Sequence, residues 1–242
     1  MTDPLPAASA NPANSAVSST SAPTLLSDRS GAGITDAVRA QILATEHWSL
    51  LATRSMTWNE VFSRASMFFT VLSAAVVALA LVAQATAFGA GFRLFALLIL
   101  PVVLLVGVAT FLRLGDANTD DFGLVLGMNR LRHAYLELAP ELEPYLVTGH
   151  HDDAVGLSQS YGLGYHGGLG RVLAATPNLV ALIDAVVFGV LAALVALVAG
   201  VADAAAVAIG VLAALGAVIG FAVLVFRSRT RVWRGIQPRF PS

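Results

Sequence analysis

The chain of 242 residues is 57% hydrophobic and only 12% charged, whereas soluble domains carry roughly a quarter charged residues. An ordinary soluble domain is excluded, and an integral membrane protein is expected. Fourteen basic against fifteen acidic residues leave a formal net charge of −1, which lacks the basic surplus of a nucleic-acid-binding protein.

Cysteine is absent, so disulfides, thiolate metal sites and cysteine nucleophiles are excluded. All fourteen basic residues are arginine, which removes lysine Schiff-base chemistry and a P-loop lysine. With so much Ala, Val, Leu and Gly, that bias points to a GC-rich bacterial genome.

Residues 1–33 are rich in Ala, Ser, Pro and Asn and lack a periodic apolar face to offset the entropy of ordering. A disordered tail is expected. It has neither the basic start nor the apolar run of a secretory signal, so no cleavage is expected.

Between Ile34 and Phe88 there is no glycine or proline, which predicts one long helix. Its polar half, 34–66, carries Leu43, His47, Leu50, Leu51, Trp58, Val61 and Phe62 at helical spacing and is read as a cytoplasmic stalk. The apolar run 67–86 is long enough to cross a bilayer. A second span follows at 93–113, bounded by Arg93 and Arg113, with Pro101 expected to kink it.

The connection 114–177 begins with Leu124, Met128, Leu131, Tyr135 and Leu138 at alternating spacings of four and three, the seam of a helix that packs against a partner. The stalk is the expected partner, with Pro140 and Pro144 ending the helix. A turn-rich, Gly-rich stretch follows, with a short helix starting near Asp152 or Asp153. The third and fourth spans are read at 178–200 and 204–226 as a tight hairpin, followed by a basic tail, 227–242. Together these elements predict an all-α integral membrane protein with four transmembrane helices. The arginines concentrate in the stalk, connection and tail, while the outer loops hold only Arg93; both termini are therefore expected on the cytoplasmic side of a bacterial inner membrane.

Asp184 is the one acidic residue inside a predicted span. An ionisable group there is expensive in hydrocarbon, so it is either a site on an ion or proton pathway or a group reached by water or an arginine. His150, His151, Asp152 and Asp153 are metal-ligand types, but adjacent residues diverge in direction and no ligand spacing supports a site, even with His133 and His166 considered; a helix-capping turn fits better. Gly162, Gly164 and Gly167 match G-x-G-x-x-G without the strand and soluble helix a dinucleotide site needs. No catalytic constellation is recognisable, and neither enzymatic activity nor a cofactor is expected.

Gly216 and Gly220 form a GxxxG pair, and Gly189 belongs to a small-residue face on the third span. Such faces serve packing within one chain or between copies in a homo-oligomer. From Leu114 to Pro177 eight acids face three arginines, a balance of −5, against +5 from Arg227, Arg229, Arg231, Arg234 and Arg239. The tail is expected to contact either the acidic connection or anionic lipid headgroups, or simply to anchor the last helix.

The stretch MNRLRHAYLELAPELEPY, followed by TGHHDD, resembles a segment of uncharacterised multi-span membrane proteins of bacteria. The resemblance covers the stalk, the first two spans and the connection; it implies the architecture and no activity. The sequence thus favours a non-enzymatic interaction or oligomerisation scaffold, with a homo-oligomeric ion channel or pore-forming effector as the alternative.

Overall fold

In the computed structural model, residues 34–162, 176–235 and 237–242 are described. Readings made on 1–33, His166, Arg171 and the glycines at 164 and 167 fall outside them, as does the side chain of Arg229. Every regular element among the described residues is helical, and four helices are long and apolar enough to cross a membrane.

With nothing to interrupt propagation, α1 runs Asp36–Thr86, 51 residues, or about 76 Å. A turn at Ala87–Gly89 reverses the chain. The N–H of Phe88 closes back on the Ala83 carbonyl, while Ala87 and Phe88 take left-handed φ of 46° and 58°, the kind of helix-ending closure usually given to glycine. The return helix α2, Ala90–Leu138, has 49 residues. The second span and the seam stretch are therefore one continuous helix. Pro101 lies inside α2 without ending it, and Gly127 admits Leu50 of α1 at close range. Each of these helices far exceeds the ~30 Å hydrocarbon thickness of a bilayer, so each has an apolar part and a polar part, and the two polar parts run side by side.

Beyond α2 come a 3-10 turn at Pro140–Tyr145 and a short helix, α3, Ala154–Ser160. Helix α4 is Thr176–Val198, and α5 is Asp203–Gly235. Between them Gly200, at φ 84°, permits the closure of Val201 N–H onto the Ala196 carbonyl, a bend that a side chain at this position would strain. Helix α5 outruns the apolar segment expected at 204–226, because no glycine or proline occurs in its arginine-bearing stretch before Gly235.

The apolar core joins Phe68 and Ala75 of α1, Leu100, Val103 and Phe111 of α2, and Val180, Val187 and Leu194 of α4. Helix α5 packs mainly on α4. There Gly189 meets the Gly210 carbonyl and Ala214, while Gly216 and Gly220 face open space.

Candidate functional site

The polar end of the α1–α2 pair carries the densest chemistry. On α1, His47, Leu50, Arg54, Trp58 and Val61 recur at helical spacing and turn one side toward α2. There Val61 is fully buried, and His47 stacks on Tyr135, ring centroids 5.9 Å apart. The buried residues of the facing stretch are Leu114, Ala117, Asp121, Val125, Met128 and Asn129. Of the expected seam residues, Met128 is among these, and Leu124, Leu131, Tyr135 and Leu138 are half-buried.

Asp121 is 1% exposed and is the hub of this contact. It accepts from Arg54 Nε at 2.6 Å, Trp58 Nε1 at 2.9 Å and the Tyr161 hydroxyl at 2.7 Å. Burial works to raise its pKa, but the hydrogen bonds from Arg54, Tyr161 and Trp58 outweigh it and hold the carboxyl below its ordinary value. Burial and the adjacent carboxylate push the Tyr161 phenol upward. One carboxylate thus ties α1, α2 and the residue after α3 together. Toward the apolar part, Glu60 accepts from Arg113 at 2.9 Å and from Arg64 at 2.9 Å; those two guanidinium groups draw its pKa down to about 2. Arg113, at the end of the second apolar run, is thus paired across the two helices.

A second hub lies at the His-His-Asp-Asp run. Asp153 caps α3, its side chain accepting from Gly156 N–H at 2.8 Å. Asp152 is fully buried and accepts from Arg130 Nε at 2.7 Å, from Arg239 N–H at 2.9 Å and from Phe240 N–H at 2.8 Å. The segment after α5 therefore docks on this run. Asp153 also takes the N–H and hydroxyl of Ser242 at 2.8 and 2.7 Å, and Arg130 Nη2 donates to the Gln237 carbonyl at 3.3 Å. The Phe240 ring stacks on His133 at 4.2 Å. Beneath these contacts, Asn129 donates to the His151 carbonyl at 2.8 Å and accepts from Arg132 and Ser160.

The expected contact between tail and acidic connection thus has a different chemistry. It is made by backbone N–H groups at 239, 240 and 242, while the arginines 227, 231, 234 and 239 are exposed. The rings of His133, His150 and His151 lie 4.2 to 6.4 Å apart, and burial, aided by neighbouring His151, holds His150 below its ordinary value. Among the described residues no group of histidines and acids is arranged to hold a metal ion.

Asp184 stands apart. It is fully buried, its carboxyl rests on the Cα of Gly107, and neither oxygen has a hydrogen-bond partner among the described residues. No arginine among the described residues hydrogen-bonds to it. A separate cavity of about 310 Å³ lies where α1, α2, α4 and α5 converge, lined by Trp58, Phe62 and Phe111 together with Asn118, Thr119 and Ser228; Asp184 does not line it. Comparison with protein-family models, curated proteins and solved structures gives no match.

Proposed function

We propose that the protein is a non-enzymatic, self-associating scaffold of a bacterial inner membrane, with the polar end of the α1–α2 pair and both termini in the cytoplasm. The observation that carries this reading is the outward side of the α1 polar half. Trp48 is 71% exposed, Met56 73% and Ile42 55%, although this stretch precedes the apolar run that would lie in lipid. Large apolar side chains grouped on a water-facing surface mark interaction sites. The open faces of Gly216 and Gly220 on α5 are consistent with a further contact between copies inside the bilayer.

The test is the mass of the detergent-solubilised chain. A multimer is expected, reduced to a monomer by Trp48→Glu with Met56→Glu while helical content is unchanged. A monomeric mass for the unaltered chain at micromolar concentration would sink the reading.

A second reading, an ion-conducting homo-oligomer, draws on the Asp184 carboxyl, which has no hydrogen-bond partner among the described residues, since intramembrane acids mark ion and proton routes. Ion flux in liposomes that is lost with Asp184→Asn would favour it; absent flux removes it.

A further inference from the structure

The docking of residues 237–242 has the marks of ligand recognition rather than of core packing. Of the six residues, only Phe240 is half-buried; Gln237, Pro238, Arg239, Pro241 and Ser242 are exposed. The surface beneath is highly organised. Asp152 is fully buried under the segment, oriented by Arg130, and the loop bearing it is fixed from below by Asn129.

The register is equally specific. Arg239 and Phe240 present successive N–H groups to Asp152, and Ser242 presents the next to Asp153. The intervening position is Pro241, which has no N–H to leave unsatisfied. In return, Asp152 N–H donates to the Phe240 carbonyl at 3.3 Å, so the pairing runs in both directions at one residue. Affinity from main-chain hydrogen bonds, with selectivity from one anchored side chain, is a recurring mode of peptide recognition, and bonds from N–H to a carboxylate are among the stronger ones.

We propose that the surface formed by Asn129, Arg130, His133, His151, Asp152 and Asp153 is a peptide-recognition site, and that residues 237–242 are its resident, exchangeable ligand. Its ligand class is an extended segment with an aromatic residue followed by proline and then a residue bearing a free N–H. Withdrawal of the segment strips Asp152 of two of its three donor residues while it stays fixed by Arg130, so the vacated surface favours recapture of the same pattern. Because the segment follows α5 and the surface belongs to α2 and its connection, occupancy also tethers the end of α5 to the α1–α2 pair.

The experiment replaces 237–242 with a Gly-Ser stretch of equal length and offers a labelled synthetic peptide spanning residues 235–242 to the variant in lipid nanodiscs. Saturable binding is expected, weakened about tenfold or more by Asp152→Asn, as befits loss of bonds to a charged acceptor. Replacing the peptide's phenylalanine with alanine should weaken binding as well. No saturable binding, or binding indifferent to both changes, overturns the proposal. Should the Gly-Ser variant lose its helical content, hydrogen exchange in the intact chain decides instead. The amides of Arg239 and Phe240 are then expected to be protected and to exchange faster with excess peptide; absent protection, or protection unaltered by peptide, overturns it.

Discussion

The carboxyl group of Asp184 on α4 rests directly on the Cα of Gly107 on α2, with no room for a Cβ between them. Gly107→Ala would drive a methyl group into that carboxyl, and overpacking of this kind costs about 1–3 kcal/mol. Removing the carboxyl as well, in Gly107→Ala with Asp184→Ala, is expected to recover most of the loss, since the two residues share one contact. Unfolding of the unaltered chain, Gly107→Ala, Asp184→Ala and the double variant in mixed detergent, followed by circular dichroism, measures the coupling. Additive effects would mean that the carboxyl is not seated on this glycine.

The glycines of the α4–α5 pair are expected to separate into two kinds. A Cβ at Gly189 would meet the Gly210 carbonyl oxygen at 2.6 Å and the Ala214 Cβ at 2.8 Å, whereas one at Gly216 meets nothing within 4 Å. Gly189→Ala should therefore destabilise the chain by about 1–3 kcal/mol, and Gly216→Ala should leave stability within about 0.5 kcal/mol. Gly216→Ala is then a clean probe of α5 as a contact between copies: a lower oligomeric mass without lost stability places a second chain on that face.

What the sequence discloses follows from what each pattern measures. Runs of about twenty apolar residues report desolvation directly, so four membrane-length helices are legible before any coordinates. The spacing of His47, Leu50, Trp58 and Val61 likewise reports one side of α1, although Leu51 and Phe62 of the same expected series are exposed. The facing stretch of α2 is harder, because Asp121 and Asn129 are buried there, and a periodicity built on apolar residues assigns an acid and an amide to the surface. Their burial depends on partners distant in sequence, Arg54 and Trp58 for Asp121 and the His151 carbonyl for Asn129. The docking of 237–242 is hidden for the same reason: charge balance pairs arginines with acids, while the contact uses backbone N–H groups, which every residue except proline carries. The only sequence clues are the paired acids at 152 and 153 and the Phe-Pro step at 240 and 241.

The Asp121 hub predicts graded losses. Asp121→Ala leaves Arg54, Trp58 and Tyr161 without their shared acceptor. Breaking a fully buried ion pair costs about 3–5 kcal/mol; the Arg54 side chain is 34% exposed, so about 2–3 kcal/mol is expected here, after discounting for solvent screening. Tyr161→Phe removes a single bond to a charged acceptor and should cost about 1.5 kcal/mol. Chemical unfolding gives both values, and limited proteolysis should show cleavage within 139–162 rising in the same order. A Tyr161→Phe chain as unstable as Asp121→Ala would place the strength of this hub in the phenol instead of the α1–α2 link.

The docked segment should be insensitive to mild acid. Gly156 and Ser242 donate to Asp153 and draw its pKa down to about 2. Burial raises that of Asp152, but the N–H groups of Arg239 and Phe240, with Arg130, outweigh burial and leave it lowered. An unpaired aspartate titrates near 3.9, and the bonds from Arg239, Phe240 and Ser242 exist only while the segment is docked, so both carboxyls have a lower pKa with the segment in place than without it. Their contribution is therefore complete above about pH 4 and is lost as pH falls through the docked values, near 2 for Asp153. Amide proton and nitrogen shifts of Arg239, Phe240 and Ser242, followed by nuclear magnetic resonance, should hold steady from neutrality to about pH 4 and move to those of a free segment below it. A midpoint between about pH 5 and 7 would instead identify histidine protonation as what releases the segment.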